Sequence, residues 1–158
     1  FYNNIWSDPS GTMGAGSSGG NDFSDGAVNE VTGLVLSTNL YWNGGQPIPS
    51  GDQVNPNTTD AARVIADPLL GSQAGLVLPA WNGSSFPSGS TSIRDEFVRL
   101  VNAYGAPGPN SSALDAADAN QAPGDDILSN ARSDPDLGAF ERDPANLNQR
   151  LYLPSLQR

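Results

Sequence analysis

The chain has no cysteine, no histidine and no lysine; its seven basic residues are all arginine. Those absences exclude disulfides, thiol and amine nucleophiles, imidazole general bases and zinc centres built from Cys or His. What chemistry remains is that of oxygen: carboxylates, hydroxyls and carbonyls. Long apolar runs are missing too, so nothing approaches the roughly 20 residues of a membrane-spanning helix. No secretory leader opens the sequence, so any export signal is expected on a segment outside these residues. Charge of one sign is scarce, with seven basic against 17 acidic side chains and a formal charge of −10. A surface so acidic repels phosphate backbones and anionic lipid, which argues against nucleic acid or a membrane as partner.

What is present is turn-forming. Gly (18) and Pro (13) make up nearly a fifth of the 158 residues, and apolar residues only 37%. That is enough for one domain with a core, but a loop-rich one. "FYNNIW" at the start is a short apolar and aromatic strand ended by the turn signal "SDPSG". Residues 10–26 are Gly- and Ser-rich and read as a long surface loop, as do the Pro-, Asn- and Thr-rich residues 44–62. Between them "VNEVTGLVLSTNLYW" predicts one or two strands. Its "TNLYW" echoes "NNIW", with Asn39 matching Asn4, Leu40 matching Ile5 and, after one extra residue, Trp42 matching Trp6. A short echo of this kind points toward stacked coils.

"RVIADPLLGS" and "AGLVLPAW" predict further short strands, and residues 93–104 predict a helix. Ser92 caps it with Asp95 three positions on, and Ile93, Phe97, Leu100, Val101 and Tyr104 form one apolar face expected to cover a sheet. Gly105 and Pro107 stop it. "PDLGAFE" predicts a short strand with Leu137, Ala139 and Phe140 inward. The tail from 142 to 158 carries "RLYLPSLQR", whose alternation suits an added edge strand.

Taken in order, "NNIW", "TNLYWNGG", "VIADPLLG", "SSALDAAD" and "PDLGAFE" resemble the closing segments of secreted bacterial right-handed parallel β-helix proteins, the pectin-lyase-like class. The resemblance rests on Asp67, Pro68 and Leu69; on Ala113, Leu114, Asp115 and Ala116; and on Asp136, Leu137, Gly138, Ala139, Phe140 and Glu141. It departs at Ser112, where proline is usual, at Ala117, where glycine is usual, and in its two long loops. It implies an all-β fold: the last coils and C-terminal cap of a longer parallel β-helix, carrying one amphipathic helix. It further implies that the edge at residues 1–6 is open, and pairs with earlier coils of the same protein or with another chain.

Two carboxylate readings follow. Asp125 and Asp126 are adjacent, as an acid and base pair in a β-helix glycosidase would require, but the Asn-Thr-Asp, Gly-His-Gly and Arg-Ile-Lys signatures of those enzymes are missing. Asp115, Asp118, Asn120, Asp125 and Asp126 form the densest set of oxygen ligands and so the candidate calcium site, although their spacing fits no calcium-loop template. Otherwise no cofactor is expected. Trp6, Trp42 and Trp81, with Tyr2 and Tyr41, are candidates for stacking on sugar rings, against the alternative that strand aromatics are core. Asn57, Asn82 and Asn110 stand in glycan-acceptor sequons. Structural roles are expected for Asp67 in a turn, for Asp136 and Glu141 with Arg132 or Arg142, and for Asn4 and Asn39 as side chains that satisfy neighbouring backbone.

Two functions fit. The first is a non-catalytic structural or adhesive portion of an exported cell-surface protein, completed by other coils or another chain, with self-association into a filament or surface layer as a variant and polysaccharide as an added partner. The second is the C-terminal part of a polysaccharide lyase or glycoside hydrolase whose active site lies on preceding coils. Catalysis is not expected of this chain alone.

Overall fold

The structure, a computed structural model, describes residues 1–13, 32–48 and 60–142. Three short parallel strands lie in chain order: β1 (Ile5–Ser7), β2 (Leu40–Trp42) and β3 (Val64–Ile65). Ile5 stands opposite Leu40 and Leu40 opposite Val64, while Trp6, Tyr41 and Ile65 make the adjacent column. Because side chains alternate across a strand, the two columns fall on opposite faces of the sheet.

Each face is covered. Leu40 packs with Ala113 and Leu137, flanked by Ile5, Trp42 and Val64, so residues from the C-terminal third close this side. On the other face Tyr41 packs with Met13 and Ile48, and Trp6 leans on the cluster. Met13 and Ile48 belong to the stretches expected as surface loops, and both are buried. Residues 14–26 and 49–59 of those stretches, like the expected edge strand in "RLYLPSLQR", lie outside the described residues.

The expectation of an all-β right-handed parallel β-helix is overturned. Among the described residues the strands are three, three and two residues long, beside an α-helix, and most of what remains is turns, bends and irregular chain. The physical reason is local. Asn3 and Thr38 each take a left-handed conformation (φ 59° and 58°) two residues before β1 and β2. Asp8-Pro9 follows β1, and Asn43-Gly44-Gly45, both glycines at positive φ, follows β2. A Cβ on Gly44 would lie 2.7 Å from the Gly11 nitrogen, so the two post-strand turns touch backbone to backbone. Each strand is therefore confined between a corner and a turn.

Three further elements differ from expectation. Residues 74–81 pair with no strand; a 3₁₀ turn at Gln73–Gly75 leads into irregular chain in which Val77, Leu78 and Trp81 are exposed. Residues 136–141 form no strand, with bends at 137–139, Leu137 and Phe140 buried and Ala139 exposed. The helix α1 (Ile93–Leu100) runs on as a π-helical turn to Gly105 and is capped as expected, Ser92 Oγ accepting from the Asp95 N–H at 3.1 Å. Yet its expected apolar face is only partly covered: Ile93 and Phe97 are exposed, Leu100, Val101 and Tyr104 are half-buried, and the residue α1 buries is Glu96. Beyond β3, Gly108 donates to the Leu69 carbonyl, and Gly71 lies so close under Ala103 that a Cβ there would overlap the carbonyl group.

Candidate functional site

Most of the buried carboxylates are engaged with backbone. Asp126 accepts from the amides of Leu128, Asn130 and Glu141 and from Asn130 Nδ2. Burial opposes its ionisation, but the Asn130 side-chain and backbone hydrogen bonds and those from Glu141 and Leu128 prevail and hold it below its ordinary value. A carboxylate so committed cannot serve as half of an acid and base pair. Its neighbour Asp125 is exposed, its backbone bridged to Ala131. Both border one cavity of about 570 Å³, but they are positioned by a turn, not by each other.

The remaining calcium candidates are engaged one by one. Asp118 Oδ1 accepts from Asn120 N and Nδ2, while the backbone of Asp118 exchanges two hydrogen bonds with the Asn3 side chain. Asp115 sits in a turn at φ 52° with its N–H on Asp136 Oδ1. Among the described residues no three Asp or Glu side chains converge as a metal site would require.

Asp136 and Glu141 do take the structural roles expected of them. Arg132 Nε meets Glu141 Oε2 at 3.0 Å with both side chains buried, and Arg132 Nη2 donates to the carbonyls of Asp136, Gly138 and Phe140. Asp136 receives the amides of Asp115 and Arg142. Asp67 Oδ1 accepts from the Leu69 amide, as a turn residue does.

The three tryptophans are not brought together. Trp6 and Trp42 belong to the clusters on opposite faces of the sheet. Trp81, about half exposed, lies edge-on to Phe86 with ring centroids 5.1 Å apart. Tyr2 is exposed, whereas Tyr41 is wholly buried; burial, then the neighbouring Asp60, raises its hydroxyl well above the usual phenol range. Of the sequon residues Asn82 and Asn110 are exposed, and Asn57 lies outside the described residues.

One cluster stands out that the sequence reading only half named. Asn4 N and Nδ2 both donate to Asn39 Oδ1, each at 2.9 Å. Asn39 N and Nδ2 in turn both donate to Asp60 Oδ2, at 2.9 and 2.7 Å. The same two-donor, one-acceptor contact thus repeats across successive layers and ends on a fully buried carboxylate, which also takes the amides of Thr38 and Ala62. Asp60 went unnoticed in the sequence because it stands in a polar stretch; the signal available was its place as an Asx cap just before Val64.

This polar column abuts the outer edge of β1. Leu40 N donates to Asn4 O and Asp8 N to Trp42 O, so the even-numbered residues of β1 face β2. The N–H and C=O of Ile5 and Ser7 therefore point away from the sheet, where they take no partner among the described residues. Tyr2, Asn3, Asn4 and Ile5 form one wall of the 570 Å³ cavity and Asp125, Ile127 and Ala139 part of the other. No protein-family model matches the chain, and no curated protein matches it.

Proposed function

We propose that this chain is a non-catalytic structural or adhesive module, displayed outside the cell, whose sheet is completed by a parallel strand from another polypeptide at the outer edge of β1. The carrying observation is that edge: Ile5 and Ser7 backbone groups that take no partner among the described residues, with Ile5 bordering an open cavity. A row of free N–H and C=O groups is a template for strand addition, with main-chain bonds supplying affinity. Engagement of Asp126, Asp60, Asp136 and Glu141 in holding backbone supports the non-catalytic part. Extracellular display is supported by the acidic, Gly-rich composition without His, Lys or Cys.

The test uses a peptide with the chain's own strand sequence, TNLYWNG (residues 38–44), carrying a fluorophore. Fluorescence anisotropy should register binding to the full chain and its loss in Ser7→Pro, which removes an outward N–H but no bond of the β1–β2 ladder. Unchanged melting of the variant would establish that its fold is intact. Absence of binding to the parent chain would overturn the strand-accepting reading. Release of reducing ends or unsaturated products from polygalacturonate or alginate with calcium would overturn the non-catalytic one.

A further inference from the structure

Resting on that reading, we infer that the outer edge of β1 selects its strand by an asparagine, seated on Asn4 and followed by an aliphatic and then an aromatic residue. Asn39 Oδ1 receives both N–H and Nδ2 of the residue in the layer outside it, Asn4, and Asp60 Oδ2 receives both from Asn39. Asn4 turns its Nδ2 toward Asn39 Oδ1 and the Tyr2 carbonyl, which leaves its Oδ1 as the acceptor of the next layer outward, without a donor among the described residues. Only a side chain with an N–H donor one bond short of Gln can repeat the contact while its own backbone N–H shares the acceptor. Asparagine is that side chain, whereas aspartate would bring a second acceptor against Asn4 Oδ1.

Register supplies the next two positions. If the incoming asparagine sits on Asn4 as Asn4 sits on Asn39, its carbonyl accepts from Ile5 N–H, and the amide two residues later donates to Ile5 C=O. The residue after the asparagine then extends the column Ile5, Leu40, Val64, and the next extends Trp6, Tyr41, Ile65. The first column is aliphatic and the second begins with two aromatics, so the strand reads Asn-aliphatic-aromatic. The chain's own strands cannot fill this role in a second copy. The Asn4 and Asn39 donors are already engaged within their own sheet, and the residue that precedes β3 in the register is Arg63, not an asparagine. The occupant is therefore a strand other than these three, from a segment that carries the order Asn-aliphatic-aromatic with its asparagine donors free.

The decisive measurement compares TNLYWNG with the same peptide carrying Asn39→Ala or Asn39→Asp, each titrated against the full chain and against its Asn4→Ala form. Loss of one net hydrogen bond weakens the Ala peptide for the parent chain by about fivefold to tenfold, and the Asp peptide further. Against the Asn4→Ala chain the Asn and Ala peptides should bind alike, since the acceptor is gone, and melting curves of both proteins establish that they are folded. Equal binding of the Asn and Ala peptides to the parent chain would overturn the asparagine inference and leave strand addition standing. A ratio that persists in Asn4→Ala would place the contact elsewhere and overturn it too. No binding of any peptide would remove the reading on which the inference rests.

Discussion

At the scale of single residues, the fold depends on side chains that act as backbone. Asp60 is wholly buried and accepts from Thr38 N, Asn39 N, Asn39 Nδ2 and Ala62 N at 2.7–3.1 Å. Removing its charge while keeping its shape in Asp60→Asn sets an amide N–H₂ against at least one of those donors, leaving buried N–H groups without an acceptor. Hydrogen bonds to a charged group contribute about 1.5–3 kcal/mol each, so urea unfolding should find the variant less stable by about 2–4 kcal/mol. A loss below about 0.5 kcal/mol would mean that the column of Asn4, Asn39 and Asp60 is ornament to a fold held by Leu40 and Tyr41. Part of this column was legible in advance, since the echo between "NNIW" and "TNLYW" aligned Asn39 with Asn4 and Leu40 with Ile5, as the structure does. It misplaced the tryptophans, because allowing an extra residue matched Trp6 with Trp42, whereas the register sets Trp6 against Tyr41 and the two rings on opposite faces. With a period of two, one residue of slip exchanges inside for outside.

At the scale of elements, helix α1 separates what local sequence can report from what it cannot. Its beginning was legible because capping is a local contact: Ser92 takes the Asp95 amide, and Asp95 and Glu96 sit at the positive end of the dipole. Its orientation was not, because the apolar stripe of Ile93 and Phe97 predicts the inward face only if nothing else pins the helix. Here Glu96 does so through the Ser88 hydroxyl of the preceding loop, while Arg99 Nε and Nη2, from the next turn of the same helix, hold its carboxylate at 2.9 and 2.8 Å. The Arg99 hydrogen bonds first, then that of Ser88, bring the Glu96 carboxyl from an ordinary value of 4.5 down to about 2. A carboxyl depressed by folding stabilises the folded state at pH values above its unfolded value and loses that contribution as pH falls through the folded one. Wild type should therefore exceed Glu96→Gln in stability at neutral pH, and the gap should close between about 4.5 and 2. Urea melts across that window check it; a gap independent of pH would show that Glu96 acts by packing alone.

At the scale of the whole molecule, the expected β-helix failed for a reason visible in its motifs. Asp67-Pro68-Leu69, "SSALDAAD" and "PDLGAFE" matched the pattern of a long stack, yet each turned out to build a corner: Leu69 and Asp115 lie at φ 52°, Gly138 at 90°, and the carboxylates of Asp67 and Asp136 tie down nearby amides. Motifs made of turn residues report where a chain bends, and carry little about how many residues pair between bends. The formal charge of −10 acts on the molecule as a whole in the same indifferent way. Among the described residues the ion pairs are Arg99 with Glu96 and Arg132 with Glu141, and over the whole chain the 17 acidic groups outnumber the seven arginines. Self-repulsion of that kind favours the expanded chain and is screened within a Debye length of about 10 Å at 0.1 M salt. Sodium chloride should therefore raise the melting temperature steeply at first and level off once the Debye length falls below the spacing of surface charges. Sulfate should go on raising it, since exclusion from the protein surface does not saturate in that range. A melting temperature that falls with sodium chloride would instead identify the two ion pairs as the dominant electrostatic contribution. The buried Arg132–Glu141 pair is poorly reached by salt, so the rise is the expected outcome.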